Sequence, residues 1–240
     1  MTPVFDPLLA EIQDILAAGL DIRGTQVIWG LLGGQPLPEA WLGGMKLAAE
    51  TLPKALERPF TQEERLLHFL WEALDRLPAS LMVPLSLPLR RLLAARIFKK
   101  CGKAFLAEEG VRFNFGQDLE VGDNVYLRRG AILDTQGGLT IGHSVSIGED
   151  VRIFTHAHSE ASHIERFYKP VVIEDFAKIS TGAIILPGVS IGREAIVSSG
   201  AVVGQNVPMN AVAAGSPAVV VRQRQTDGRH GESLDHIWLF

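Results

Sequence analysis

Residues 170–203 read PVVIEDFAKISTGAIILPGVSIGREAIVSSGAVV, and within them a large apolar residue returns at every sixth position: Ile173, Ile179, Ile185, Ile191, Val197 and Val203. Working backwards, the same spacing takes in Phe167, Ile153, Ile147, Ile141, Leu133, Leu127, Val121 and Phe115, provided two gaps are allowed. Twelve of these fourteen hexads carry Ala or Val at the fifth position. The fourth positions are rich in Gly, Asn and Asp (Asp118, Asn124, Gly130, Asp150, Gly182, Gly188, Gly200, Asn206), residues that tolerate the positive φ of a tight corner. A helix of 3.6 residues per turn does not hold a six-residue period on one face. The pattern predicts a chain coiling with three short flat sides per turn, each hexad sending one large and one small side chain inward. Stacked turns then share a continuous core.

The two gaps are the informative part. Two extra residues fall between Leu133 and Ile141, around Gly137-Gly138, and eight more, Ser159 to Arg166, separate the Ile153 hexad from the Phe167 hexad. Three hexads per turn stack Leu133 beneath Ile153, so both insertions leave the same edge of the coil, one turn apart. Loops carried on a rigid scaffold are where sites gather. At the base of the longer loop stands Thr155-His156-Ala157-His158, and His163 lies within it, so three of the seven histidines meet here.

Residues 1–108 carry a different pattern, that of helices joined by Gly/Pro turns. Asp6-Pro7 opens one helix with Leu8, Ile12, Ile15 and Leu16 inward. Thr61 and Glu64 form a capping box for a second, carrying Leu66, Leu70, Ala73, Leu74 and Leu77. A third is expected from Pro88 to about Gly102, bearing Arg90, Arg91, Arg96, Lys99, Lys100 and, just beyond, Lys103. The plain reading docks that helix by its apolar face, its charges solvated or meeting an acidic surface; contact with an anionic membrane is the alternative. The expected division is a helical region 1–108, a coil 109–221 and a tail 222–240.

Composition narrows the classes. At 240 residues, 47% hydrophobic and with a net charge of −4, the chain buries a sizeable core and lacks the basic excess of a nucleic-acid binder. A single cysteine, Cys101, rules out an internal disulfide and a four-cysteine zinc site. The first residues lack the charged and apolar regions of a secretory leader, and no apolar run approaches bilayer length. A cytoplasmic protein is expected.

On the repeat, on Ile153–His158 before a loop, and on the ending AGSPAVVVR (residues 214–222), the sequence resembles the hexapeptide-repeat acyltransferases over roughly residues 109–224. The similarity is strongest to the O-acetyltransferases of galactosides, maltose, antibiotics and exopolysaccharide sugars. The resemblance implies a left-handed parallel β-helix, a homotrimer, and acetyl-CoA bound between neighbouring prisms. It also implies a catalytic histidine at the start of the loop, which falls on His158 when counted from Val151. An imidazole is suited to taking the proton of a sugar hydroxyl near pH 7. His156 is read as structural, and His163 as an acceptor contact, the ordinary alternative being a solvated loop histidine.

Asp134 resembles an acidic residue of related sequences and is read as substrate-binding, the ordinary alternative being an edge residue paired with Arg128 or Arg129. For the cofactor the resemblance points to Ser180, Thr181 and Gly182, to Ser198, Ser199 and Gly200, and to Arg222. Lys178, Gln205 and Val219 depart from the residues common at their positions, with Lys178 or Arg224 as compensating cations.

No catalytic metal is expected. Two other readings use the same coil. A γ-type carbonic anhydrase would hold zinc through histidines, and His158 and His163 have the offset of such a pair. A non-catalytic scaffold would use the prism for assembly alone. A serine acetyltransferase would need a histidine in the stretch Asp134-Thr135-Gln136-Gly137-Gly138, which has none.

Overall fold

The computed structural model describes residues 3–162 and 164–234, divided into two compact units, Met1–Ile97 and Phe98–Phe240. The first unit is helical. Its helices are Asp6–Ala17, Ile22–Leu31, Glu39–Gly44, Lys54–Glu57, Gln62–Leu74 and Val83–Ile97. The capping box forms as expected: Glu64 N–H donates to Thr61 Oγ1 (3.2 Å) and Thr61 N–H to Glu64 Oε2 (2.7 Å). Leu66, Leu67, Leu70, Trp71 and Leu74 are buried along that helix.

The third helix differs from expectation at both ends. It begins at Val83, takes Pro88 into its interior and stops at Ile97. An internal proline costs a backbone hydrogen bond; burial of Leu85, Leu89, Leu93, Ala94 and Ile97 on one face offsets it. The stretch 88–103 therefore forms no continuous basic helix, and its charges do not share a face. Arg90 is 0% exposed, ion-paired with Asp75 and stacked over Trp71 at 5.1 Å, while Arg96 pairs with Glu63 at 2.7 Å. No helix among the described residues is long and apolar enough to cross a membrane.

The second unit is a three-sided parallel β-solenoid. Its first side stacks Lys100–Cys101, Leu119–Val121, Leu139–Ile141, Val171–Ile173 and Ser190–Ile191. The second stacks Leu106–Ala107, Tyr126–Leu127, Ser146–Ile147, Lys178–Ile179, Ile196–Val197 and Ala211–Gly215. An antiparallel strand, Ala218–Gln223, closes that side. The third stacks Arg112–Phe113, Ile132–Leu133, Arg152–Ile153, Ile184–Ile185 and Val202–Val203.

Twelve of the fourteen expected inward residues, from Val121 to Val203, line these sides at no more than 1% exposure. Each such burial contributes about 1.5–3 kcal/mol. Six of the eight expected corner residues take positive φ: Asn124, Gly130, Asp150, Gly182, Gly188 and Gly200.

Three details revise the register. The coil starts at Lys100 rather than 109. Phe113, not Phe115, pairs with Leu133 on the third side, so two extra residues leave this edge one coil earlier too. Phe167 is 50% exposed on a hairpin, and Ile173 is the inward residue that follows Ile153. At the far end the described part of the tail is tied to a corner, with Gly231 N–H donating to Glu194 Oε1 (2.8 Å).

Coil stacking leaves no room for side chains at certain corners. A Cβ on Gly142 would lie 2.4 Å from Asp175 Oδ1 and 2.7 Å from Asp175 N. Gly142→Ala is expected to destabilise the solenoid by about 1–3 kcal/mol, read as a lower midpoint in chemical denaturation.

Candidate functional site

The corner that follows the third side carries the insertions, and a polar ladder runs up it. Asn114 Nδ2 donates to Asp134 Oδ1 at 2.9 Å, and Asn114 Oδ1 accepts from Thr135 N at 3.0 Å. One coil higher, Asp134 Oδ2 accepts from Thr155 N (2.9 Å) and His156 N (3.1 Å) and lies 2.6 Å from His156 Nδ1. The Gln136 amide donates to the other oxygen, Oδ1, at 3.0 Å. Thr155 Oγ1 accepts from Gly137 N at 2.8 Å and donates to Asp134 O at 2.8 Å.

Asp134 is 5% exposed. Burial alone pushes its carboxyl pKa up, but the hydrogen bonds from His156, Thr155 and Gln136, with the charge on His156, bring it below the ordinary carboxylate range. An ionised carboxylate only accepts, so the 2.6 Å contact calls for a proton on His156 Nδ1; the Gln136 amide nitrogen lies 2.9 Å from the same ring nitrogen. The alternative in which Asp134 is an edge residue paired with Arg128 or Arg129 is overturned. Those arginines pair with glutamates instead, Arg128 with Glu149 (2.8 Å) and Arg129 with Glu109 (2.9 Å).

From His156 the chain leaves the coil as an antiparallel hairpin, His156–His158 against Arg166–Tyr168. Alternation places His156 and His158 on one face, their rings 5.5 Å apart and edge-on. His158 is exposed and His156 half-buried. His163 lies outside the described residues.

The residues expected at the cofactor occupy another corner, between the second and third sides. Ser180–Gly182 and Ser198–Gly200 stack there on successive coils, with Gly200 N–H donating to Thr181 O at 3.0 Å. A Cβ on Gly200 would meet nothing within 4 Å. Lys178 and Arg222 stand on the second side, both exposed. Arg224 is committed to the protein itself, donating to Phe176 O (3.2 Å) and Glu194 O (2.9 Å). Within one prism the width of the third side separates the Ser/Gly corner from the histidine corner, so the chain does not bring the two sets together.

Four residues of the histidine corner escaped the sequence reading. Asn114 and Gln136 sit in corner segments whose length the hexad count did not resolve. Arg166 and Tyr168 become neighbours of the histidines only through the hairpin register. Among the described residues no group of three His, Cys, Asp or Glu side chains is placed to hold a metal ion.

Residues 170–205 match the family model described as "Bacterial transferase hexapeptide (six repeats)". A Dictyostelium discoideum protein described as a "Putative acetyltransferase" is 32% identical over 167 residues, covering 68% of this chain and 82% of its own. A Saccharomyces cerevisiae protein of the same description is 33% identical over 129 residues, covering 51% of this chain; the match spans 65% of that relative's length. Among solved structures, a maltose O-acetyltransferase from Clostridium difficile 630 aligns with TM-score 0.62 at 26% identity, over 78% of this chain and 97% of that one. A hexapeptide-repeat acetyltransferase from Vibrio cholerae complexed with acetyl-coenzyme A aligns with TM-score 0.55 at 28% identity, over 57% of this chain and 77% of that one.

Proposed function

Since the chain belongs to the hexapeptide-repeat acyltransferase family, we propose that it transfers an acetyl group from acetyl-CoA to a hydroxyl of a sugar or glycoconjugate, with His158 as general base. The observation that carries this reading is the placing of His158: exposed, on the same strand face as a histidine that a buried carboxylate pins. Imidazole nitrogen takes the acceptor's proton as its oxygen attacks the thioester carbon. The tetrahedral oxyanion then collapses, the carbon–sulfur bond breaks, and the coenzyme A thiolate leaves, with the imidazolium returning its proton. Transfer is direct, in a ternary complex, with no acyl-enzyme.

The Ser/Gly corner suits the donor. Its small residues let a pantetheine arm approach the backbone, and the cations of Lys178 and Arg222 suit the phosphates. A homotrimer completes the reading, because the corner bearing His158 and the Ser/Gly corner belong to different edges of one prism and meet only across a boundary between copies. The sugar acceptor is supported by the maltose-modifying structural neighbour.

Calorimetric titration of the full chain with acetyl-CoA, with coenzyme A as control and zinc absent and then present, tests the reading. Zinc-independent binding with Kd on the order of micromolar is expected. Zinc uptake without binding of either thiol compound would favour the carbonic-anhydrase reading, and silence in both a scaffold.

A further inference from the structure

One face of the hairpin carries more than the two histidines. The antiparallel register sets Arg166 directly opposite His158 and Tyr168 opposite His156, while Ala157 and Phe167 take the other face. Directly opposed residues stand about 4.5–5.5 Å apart at Cβ, so the Arg166 and His158 side chains leave neighbouring points of one face. Arg166 is half-buried and, among the described residues, makes no ion pair. In this it differs from Arg128 and Arg129, each of which meets a glutamate. Glu160 and Glu165, the carboxylates of the connecting segment, do not pair with it either.

We infer that Arg166 selects the acceptor: the sugar carries an anionic group, carboxylate or phosphate, beside the hydroxyl that His158 deprotonates. The inference rests on the transferase reading above and adds the substrate class to it. A guanidinium presents a planar fork that takes either oxyanion through two parallel hydrogen bonds. The donor's phosphates have cations of their own at Lys178 and Arg222 on the second side, which leaves Arg166, on the histidine corner, to the acceptor. Tyr168 and His156 stand opposite each other on the same face. The hairpin face thus sets one cation next to the residue assigned as base.

The experiment compares kcat/KM for matched acceptors: methyl glucoside against methyl glucuronoside, and glucose against glucose 6-phosphate. In the wild-type chain at least one anionic member is expected to exceed its neutral partner about tenfold or more, with the larger ratio identifying the anion. The ratio falls as salt screens the charge. Arg166→Gln brings the ratio to about one through the KM of the anionic acceptor, Arg166→Lys leaves an intermediate ratio, and Arg166→Glu takes it below one.

A wild-type ratio near one in both pairs, with transfer still dependent on His158, would overturn the role of Arg166 alone. So would a ratio that survives Arg166→Gln while turnover of both members falls equally, because that places the guanidinium on the transferring acyl group. A rise confined to the KM for acetyl-CoA would overturn it by placing Arg166 on the donor. Absence of acetylation of every acceptor would overturn the transferase reading and this inference with it.

Discussion

His158→Ala is expected to lower kcat by about 10²–10⁴-fold, the share a positioned general base contributes, while the Kd for acetyl-CoA stays at its wild-type value. The separation follows from geometry. His158 stands on the hairpin at one corner of the prism, and the small residues assigned to the donor line another, so removing the imidazole leaves the donor site intact. Residual turnover comes from holding donor and acceptor together. His156→Ala is expected to cost less, because that ring is tethered to Asp134 and acts by orienting its neighbour. Pre-steady-state acetyl transfer on a common sugar acceptor, alongside calorimetry with acetyl-CoA, checks both halves. Wild-type rates in the alanine variant would remove His158 from the mechanism.

The six-residue period revealed the fold because it is written in large inward residues, and it fell silent where those residues are small. The first coil sends Cys101 and Ala107 inward, paired with Val121 and Leu127, and so escaped the count. Aromatic rings fill that end instead: Phe98 packs edge-on against Phe105 at 5.5 Å and Phe113 at 5.1 Å. Phe115 misled the register for the opposite reason. It is fully buried yet belongs to a corner, where its N–H donates to Thr135 Oγ1 at 2.9 Å. Apolar identity alone does not separate a coil position from a buried corner.

The candidate site was legible as a place more than as a set of contacts. Aligned insertions located the corner, and the histidines marked it. Stacking Leu133 beneath Ile153 carries Asp134 beneath Phe154, and Asp134 N–H donates to Ile153 O, but the carboxylate reaches one and two residues further, to Thr155 and His156. Side-chain reach of that kind has no signature in spacing. Nor does hairpin register, which alone makes Arg166 and Tyr168 neighbours of the histidines. Arg224, read as a spare cation, is held by backbone carbonyls because the chain folds back after the last strand.

Asp134→Asn, formally the mildest change at this corner, is expected to destabilise the solenoid by about 3 kcal/mol and to lower kcat by roughly 10–10²-fold. Both carboxylate oxygens face donors only. Oδ1 meets the amides of Asn114 and Gln136, and Oδ2 meets the N–H groups of Thr155 and His156 and the Nδ1 proton of His156. An asparagine has one accepting oxygen, so either orientation turns its NH2 toward buried donors. The loss frees the His156 ring and loosens the root of the strand that carries His158, which is why turnover falls with stability.

The pH dependence has a definite sign. A carboxyl whose pKa is held below its ordinary value in the folded state stabilises the protein fully above that ordinary range, near pH 4. The contribution is lost as pH falls through the folded pKa. The difference in thermal midpoint between wild type and Asp134→Asn is therefore expected to hold steady from pH 7 to about pH 5 and to shrink below about pH 4. An asparagine variant with wild-type midpoint and rate at pH 7 would show that the charge on Asp134 holds neither the corner nor the histidine.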